Sequence, residues 1–218
     1  MNEIKHKITN LLKSIEGDEI EYDLLKSVHD YILENTVEKK DAFLFLEILH
    51  FSTTLKILCD HNSNEWAFNI SKLIEKYNFH LGQLLYQRSI RYKNKVAINV
   101  IDGDKKIEIS YNKLWIDILE IANALQSIEI DKKVIVGILS TNQYKSATLD
   151  LACLSFGFRV IPIPLNSTKD HLSFILKEAS ITHLFLGSEK GVQLWNSVQD
   201  DHKLDIIDIN DIGTLKSN

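Results

Sequence analysis

The sequence predicts an α/β fold, a mostly parallel sheet with packed helices, preceded by an all-α helical bundle. Three observations predict it. Apolar residues recur at helical spacing from the N-terminus to about residue 77. Near Asn78 the period changes to short β-rich runs that alternate with helical stretches, the pattern of a parallel sheet with helices packed on it. The run "KVIVGILS" is apolar throughout, as expected of a strand covered on both faces. The domains expected are a helical bundle over residues 1–77 and an α/β part over residues 78–218.

In the first part, Ile4, Ile8, Leu11, Leu12 and Ile15 draw one apolar stripe, and Gly17-Asp18 ends that helix. Leu24, Leu25, Val28, Tyr31 and Ile32 make a second stripe. The segment "DAFLFLEILHFSTTLKILCDH" is apolar on nearly every side and predicts a single buried central helix. "HNSN" breaks the chain, with Asn64 as the expected cap of the next helix. Trp66, Ile70, Leu73, Ile74 and Tyr77 form that helix's stripe.

Leu81, Leu84 and Leu85 open the second part on a short helix. "VAINVIDGDKKIEISY" predicts a hairpin, because two β-rich runs flank Asp102-Gly103, a favoured tight-turn pair. Leu114, Trp115, Ile118, Ala122 and Leu125 lie on one helical face. After "KVIVGILS" come a helix from about Tyr144 to Phe156, the strand "RVIPI", a helix from about Lys169 to Ala179 and the strand "THLFLG". A last helix from about Glu189 to Val198 and the strand "LDIIDI" follow.

The net charge of −5 with scattered lysines excludes the clustered basic surface that phosphate contacts need, so no nucleic-acid partner is expected. Cys59 and Cys153 both fall in apolar helical patterns and read as buried, reduced thiols of a cytoplasmic protein. The N-terminus lacks the apolar core of a signal peptide, and no apolar run reaches the ~18 residues of a membrane span.

Each candidate for chemistry has a plainer reading. The turn "STNQYKS" after "KVIVGILS" stands where a dinucleotide fold places its glycines, and it has none. "GSEKG", Gly187 to Gly191, lacks the Lys-Ser/Thr ending of a phosphate loop. It reads as a strand-to-helix turn in which the glycine supplies backbone freedom and Ser188 caps the helix. His50, Cys59 and His61 lack the second short-spaced pair of a zinc site, so they read as a core cysteine with surface histidines. Asp200-Asp201 reads as a solvated loop. Asp170-His171 opens a helix, where a carboxylate suits the helix dipole. Residue by residue, nothing here carries chemistry of its own.

The segment from Phe79 to about Trp195 nevertheless resembles, in order, the N-terminal part of the adenylate-forming (AMP-binding) enzymes. These include acyl-CoA synthetases, aryl-acid ligases and adenylation domains of nonribosomal peptide synthetases. "LGQLLYQRSIRYKNKVAI" resembles the family's opening helix and the strand after it. "ISYNKLWIDILEIANALQSI" resembles its T/S-Y-x-E-L helix. "KKVIVGILSTNQYKSATLDLACLSFGFRVIPI" and "DHLSFILKEASITHLFLGSE" resemble the strand–helix–strand and helix–strand that follow. The form around Pro164 to Leu176 is nearest to the acyl-CoA synthetase branch. Lys113 replaces the usual acidic residue, Phe158 replaces an alanine, and the glycine usual near residue 129 is missing.

The resemblance implies the N-terminal portion of an ATP-dependent carboxylic acid:thiol ligase. Such an enzyme joins an acid to AMP and then transfers the acyl group to the thiol of CoA or a carrier protein. The family's Ser/Thr/Gly-rich, lysine-containing phosphate loop does not occur in this sequence, which closes on "DIGTLKSN". Its adenine motif, ribose-binding aspartate and C-terminal lysine are also missing. Residues 78–218 are therefore expected to be an incomplete subdomain. No catalytic, cofactor-binding or metal-binding residue carries over. ATP, Mg and CoA or phosphopantetheine are implied for the complete enzyme, and none is expected to bind this chain alone.

The expected partner is the remainder of the enzyme, or a second copy, with another protein partner open to the helical part. Apolar strand faces are expected to lack some of their cover. An alternative is a non-catalytic interaction or scaffold protein derived from such an enzyme. A third reading is an unrelated nucleotide-binding module, which would bind ATP or NAD unaided. Finding the phosphate-loop motif in the DNA after the codon for Asn218 separates the first reading from the second.

Overall fold

The computed structural model describes residues 2–16, 20–128 and 134–214. The chain divides into two compact units, Met1–His80 and Leu81–Asn218.

The first unit holds four helices: α1 (Asn2–Glu16), α2 (Tyr22–Glu34), α3 (Lys39–Leu49) and α4 (Ser52–Tyr77). The expected stripes turn inward, with Ile4, Ile8, Leu11, Leu25, Val28, Ile32, Leu73 and Tyr77 buried. Two boundaries differ from the expectation. The expected single central helix is two, bent by 75° at His50–Phe51. Phe45, Leu46, Ile48, Leu49 and Phe51 are all buried, so the chain turns where both sides of the break belong to the core. Within α4 the break falls at Asn62, and Asn62 is the cap where Asn64 was expected. Its Oδ1 accepts from the Glu65 backbone N–H at 3.2 Å, and its Nδ2 donates to Glu65 Oε2 at 3.1 Å. The first bond satisfies one backbone donor at the start of the new helical segment, and the second braces the cap side chain. Gly17-Asp18 lies outside the described residues.

At the far end of α4, Lys76 Nζ donates to the carbonyls of Ile32, Leu33 and Asn35 at 2.8, 2.9 and 2.6 Å. These are carbonyls at the end of α2 that no later helical N–H can reach. An ammonium there also suits the helix dipole.

The second unit opens on α5 (Leu81–Arg91) and a hairpin, β1 (Val96–Asp102) and β2 (Lys105–Ser110). Asp102 pairs with Lys105, so the two-residue turn is Gly103-Asp104, one position later than expected. Gly103 has φ +58°, which a side chain disfavours. Next come α6 (Tyr111–Ser127), β3 (Ile135–Leu139), α7 (Tyr144–Phe156), β4 (Arg159–Pro162), α8 (Lys169–Glu178), β5 (Ile181–Leu186), α9 (Glu189–Asn196) and β6 (Asp205–Asp208). Strands β3 to β6 form one parallel sheet in the order β4-β3-β5-β6.

Both faces of that sheet are covered. Val136, Ile138 and Phe185 meet Leu125, Leu149 and Cys153 from α6 and α7 on one side. Leu139, Leu184 and Leu186 meet Leu172, Leu176 and Trp195 from α8 and α9 on the other. Alternating burial along β3 and β5 thus feeds two cores, which is why those strands read as continuously apolar. Of the strand faces expected to lack cover, those of β3 and β5 are mostly buried, while Val160 and Ile161 of β4 are half-buried.

Cys153 is buried, as expected, and Cys59 is exposed, contrary to expectation. Cys59 sits in the stretch of α4 before Asn62, where only Thr54 and Leu58 are buried. The local apolar pattern there overstated how many sides of the helix meet the core. No single described helix is long and apolar enough to cross a membrane.

Candidate functional site

A cavity of about 920 Å³ lies at the carboxyl ends of β3 and β4. The chain runs from β3 out to β4 on one side and later returns to β5 on the other. The crevice beside such a reversal is where open α/β sheets place ligands. The floor is apolar, from Ile138, Ile163, Pro162 and Leu165, with Val100 from the hairpin. Polar groups come from Ser140, Thr141, Asn142 and Ser146, with Asn166 opposite. Two lining residues are charged, Asp150 and Lys190.

The turn after β3 holds its shape through side chains. Ser146 Oγ accepts from the Gln143 N–H at 3.2 Å, and its one proton is shared between the Thr141 and Gln143 carbonyls at 3.0 and 2.8 Å. Gln143 Nε2 donates to Ser140 Oγ at 2.9 Å and to the Gly187 carbonyl at 2.5 Å. A dinucleotide turn needs glycines so that a pyrophosphate can approach the backbone. Here an amide side chain fills that approach.

Gly187 and Gly191 are needed for space. A Cβ on Gly187 would stand 2.1 Å from Ser140 Oγ, and one on Gly191 would stand 2.6 Å from the Leu139 carbonyl oxygen. Gly187 is not in the positive-φ region. Its role is close approach, where the sequence suggested backbone freedom. Ser188 does cap α9, accepting from the Gly191 N–H at 3.2 Å.

Burial raises the Asp150 carboxyl above its ordinary value. Burial first, and the Asp150 charge second, push the Cys153 thiol up to about 12, which leaves it protonated and inert. The Tyr144 phenol is raised by burial and by Asp117, whose Oδ2 accepts its proton at 2.7 Å. The Lys113 ammonium pairs with the other Asp117 oxygen. This trio fastens α6 to the start of α7 and thereby fixes one wall of the cavity.

The other singled-out residues lie elsewhere. Asp170 and His171 are exposed in the first turn of α8, which Thr168 caps by accepting from the His171 N–H at 3.2 Å. Asp200 and Asp201 are exposed on a 3-10 turn. His61 stacks on Tyr22 with ring centroids 3.7 Å apart, and its Nδ1 lies 2.9 Å from the Ile57 carbonyl oxygen. His50 Nδ1 lies 2.5 Å from the Leu46 carbonyl oxygen. Among the described residues, no group of three His, Cys, Asp or Glu side chains is placed to hold a metal.

Sequence reading missed Asp150, Lys190 and Gln143. Asp150 sits inside an apolar helix pattern, and Lys190 sits in a turn read as structural. Only the crossing of the strands brings them to one cavity. The cavity lining offers one cation, Lys190, and one carboxylate, Asp150, beside apolar side chains.

The family model described as "AMP-binding enzyme" matches residues 85–216, well over half of the chain. Three solved structures show the fold. An artificially fused adenylation–PCP di-domain NRPS, NpsA-ThdA from Klebsiella oxytoca, is similar with a TM-score of 0.52 and 18% identity, over 64% of this chain and 24% of that one. O-succinylbenzoate coenzyme A synthetase (MenE) from Bacillus subtilis, in complex with ATP and magnesium ion, gives 0.52 and 16%, over 62% and 34%. The Mycobacterium tuberculosis fatty acyl CoA synthetase gives 0.55 and 16%, over 63% and 28%. This chain therefore spans about a quarter to a third of each. No curated protein matches it.

Proposed function

The chain belongs to the AMP-binding enzyme family, and from that premise we propose that it is part of an ATP-dependent carboxylic acid:thiol ligase that cannot complete adenylation alone. The complete enzyme would form an acyl-adenylate and pass the acyl group to CoA or a carrier-protein thiol. This chain would supply the packed sheet and one wall of the acid or thiol pocket. The single observation that carries the reading is the family match over the sheet that frames the cavity.

ATP with magnesium brings several phosphate charges and a hard cation that wants oxygen ligands. The cavity's charged residues, Lys190 and Asp150, do not fit that group. One ammonium and one carboxylate give neither the clamp on the phosphates nor the electrostatic stabilisation that phosphoryl chemistry requires. No step is therefore assigned to residues of this chain. The phosphate-binding groups would come from polypeptide supplied by the rest of the enzyme.

Titration calorimetry of the purified chain with ATP and magnesium, and separately with NAD, tests this. The reading expects no micromolar heat of binding from either. Micromolar binding of one of them would favour an independent nucleotide-binding module. The scaffold reading is supported by the same sparse cavity. It differs in expecting no ligase activity in any complex that contains this chain.

A further inference from the structure

The cavity at the carboxyl ends of β3 and β4 is walled by elements from inside the second unit. They are β1, the loop after β3, α7, the loop after β4 and the first turn of α9. None of its lining residues adjoins residues 129–133 or 215–218, so its walls are all among the described residues. Gln143, Ala147 and Asp150 line it at helical spacing along α7, and Ile98 and Val100 line it from β1.

Asp150 is half-buried, and among the described residues no hydrogen-bond donor and no cation pairs with its carboxylate. Lys190, the one cation of the lining, is exposed and does not pair with it either. Burial alone raises the Asp150 carboxyl, with no positive group offsetting it. Its charge is felt by the buried Cys153 thiol, one turn further along α7. A carboxylate so placed is stabilised by a cation that brings its own hydrogen-bond donors. Calcium and magnesium suit it poorly, because they need several oxygen ligands and Asp150 is the one carboxylate among the described lining residues. The apolar floor of Ile138, Ile163 and Leu165 matches hydrocarbon instead. Small-molecule pockets combine these two features: walls that are mostly apolar, and a few polar groups that fix orientation.

We propose that this cavity binds an organic ammonium, a protonated primary amine whose charged head pairs with Asp150 and whose hydrocarbon body covers Ile138 and Ile163. The ammonium supplies three donors and no acceptor, which is what an unpaired carboxylate lacks. The hydrocarbon removes the apolar floor from water. Asp150 thereby chooses the charge of the ligand, and the floor holds its body. This goes beyond the ligase reading and stands whether or not that reading holds.

The test titrates the whole chain with hexylamine, hexan-1-ol and hexanoate at pH 7 and follows the backbone amide signals by NMR. Hexylamine should bind more tightly than hexan-1-ol by about tenfold or more, as a hydrogen bond to a charged group implies. Hexanoate should bind more weakly than either. The shifts should centre on Ala147, Asp150 and Ile163. Asp150→Asn, which removes a half-buried charge and should fold, is expected to bring the amine and the alcohol to equal affinity. Asp150→Glu keeps the charge and should keep the preference, and Lys190→Met should leave it in place. No binding of hexylamine, or equal binding of amine and alcohol to the parent chain, would overturn the proposal. So would a preference that survives Asp150→Asn, or shifts that centre outside the cavity. Tightest binding of hexanoate, lost in Lys190→Met, would overturn it as well, because Lys190 would then choose the ligand.

Discussion

Gln143 Nε2 donates a 2.5 Å hydrogen bond to the Gly187 carbonyl, joining the loop after β3 to the loop after β5. The two residues are neighbours because Gly187 has no side chain. A Cβ there would collide with Ser140 Oγ at 2.1 Å and Gln143 Nε2 at 2.7 Å. This junction ties Gln143, which lines the cavity, to the residue that follows β5.

Gly187→Ala should therefore destabilise the second unit by about 1–3 kcal/mol, the usual cost of overpacking a tight contact. Gln143→Ala should cost about 1 kcal/mol, for one hydrogen-bonding group removed. The double variant should cost less than the sum, because both changes break one junction. Urea titration of the four proteins measures the cycle. Additive losses would mean that the two residues act separately.

Asp150 gives a pH-dependent prediction. Its folded carboxyl is raised by burial. A raised folded value means that the native state holds the proton more tightly than the unfolded chain. The stability this confers is complete below the unfolded value, at about pH 4, and is lost as pH rises through the folded one. Asp150→Asn should thus melt higher than the parent at pH 7, by about 1–2 °C, since solvent screens a partly exposed group. The difference should vanish near pH 3. Melting curves at both values check the sign.

The thiols should differ sharply. Cys59 is exposed, and Cys153 is buried with its thiol pushed up to about 12. Only thiolates react quickly with a chromogenic disulfide. The native protein should titrate one thiol within minutes at pH 8, and the protein in urea should titrate two. Cys59→Ser should abolish the fast reaction.

Lys76 holds the end of α2 through three carbonyls. Lys76→Met keeps the apolar stem and removes the charge and the donors. It should lower the stability of the first unit by about 1–2 kcal/mol. Faster amide exchange near Asn35, with the second unit unchanged, would locate the effect.

Local pattern made much of this architecture readable. The alternating runs from Val134 to Ile209 place each strand and helix because a half-buried or fully buried element imposes its period on the sequence. The bounds of α7, Tyr144–Phe156, agree with that reading. Ser188 as a cap was legible for the same reason, since a cap acts within three residues. The cap of the second half of α4 was misplaced by two residues, because "HNSN" offers two asparagines and only the bonds from Asn62 to Glu65 tell them apart. The cavity was not legible. Asp150, Lys190 and the Gln143–Gly187 bond are separated by some forty residues of chain, and no local period encodes which loops face each other across a sheet. Cys59 misled because an apolar stretch of α4 has a solvent side that periodicity does not locate.

The proposed function makes the chain a non-autonomous part of an acyl-adenylating enzyme. Acid-dependent exchange of labelled pyrophosphate into ATP tests it most directly, because that exchange requires the adenylation step and nothing after it. With the purified chain and a panel of aliphatic and aromatic carboxylic acids, exchange should be no greater than in a blank without enzyme. Exchange that rises clearly with one acid would contradict it, because Lys190 and its neighbours would then be doing the work assigned to the rest of the enzyme.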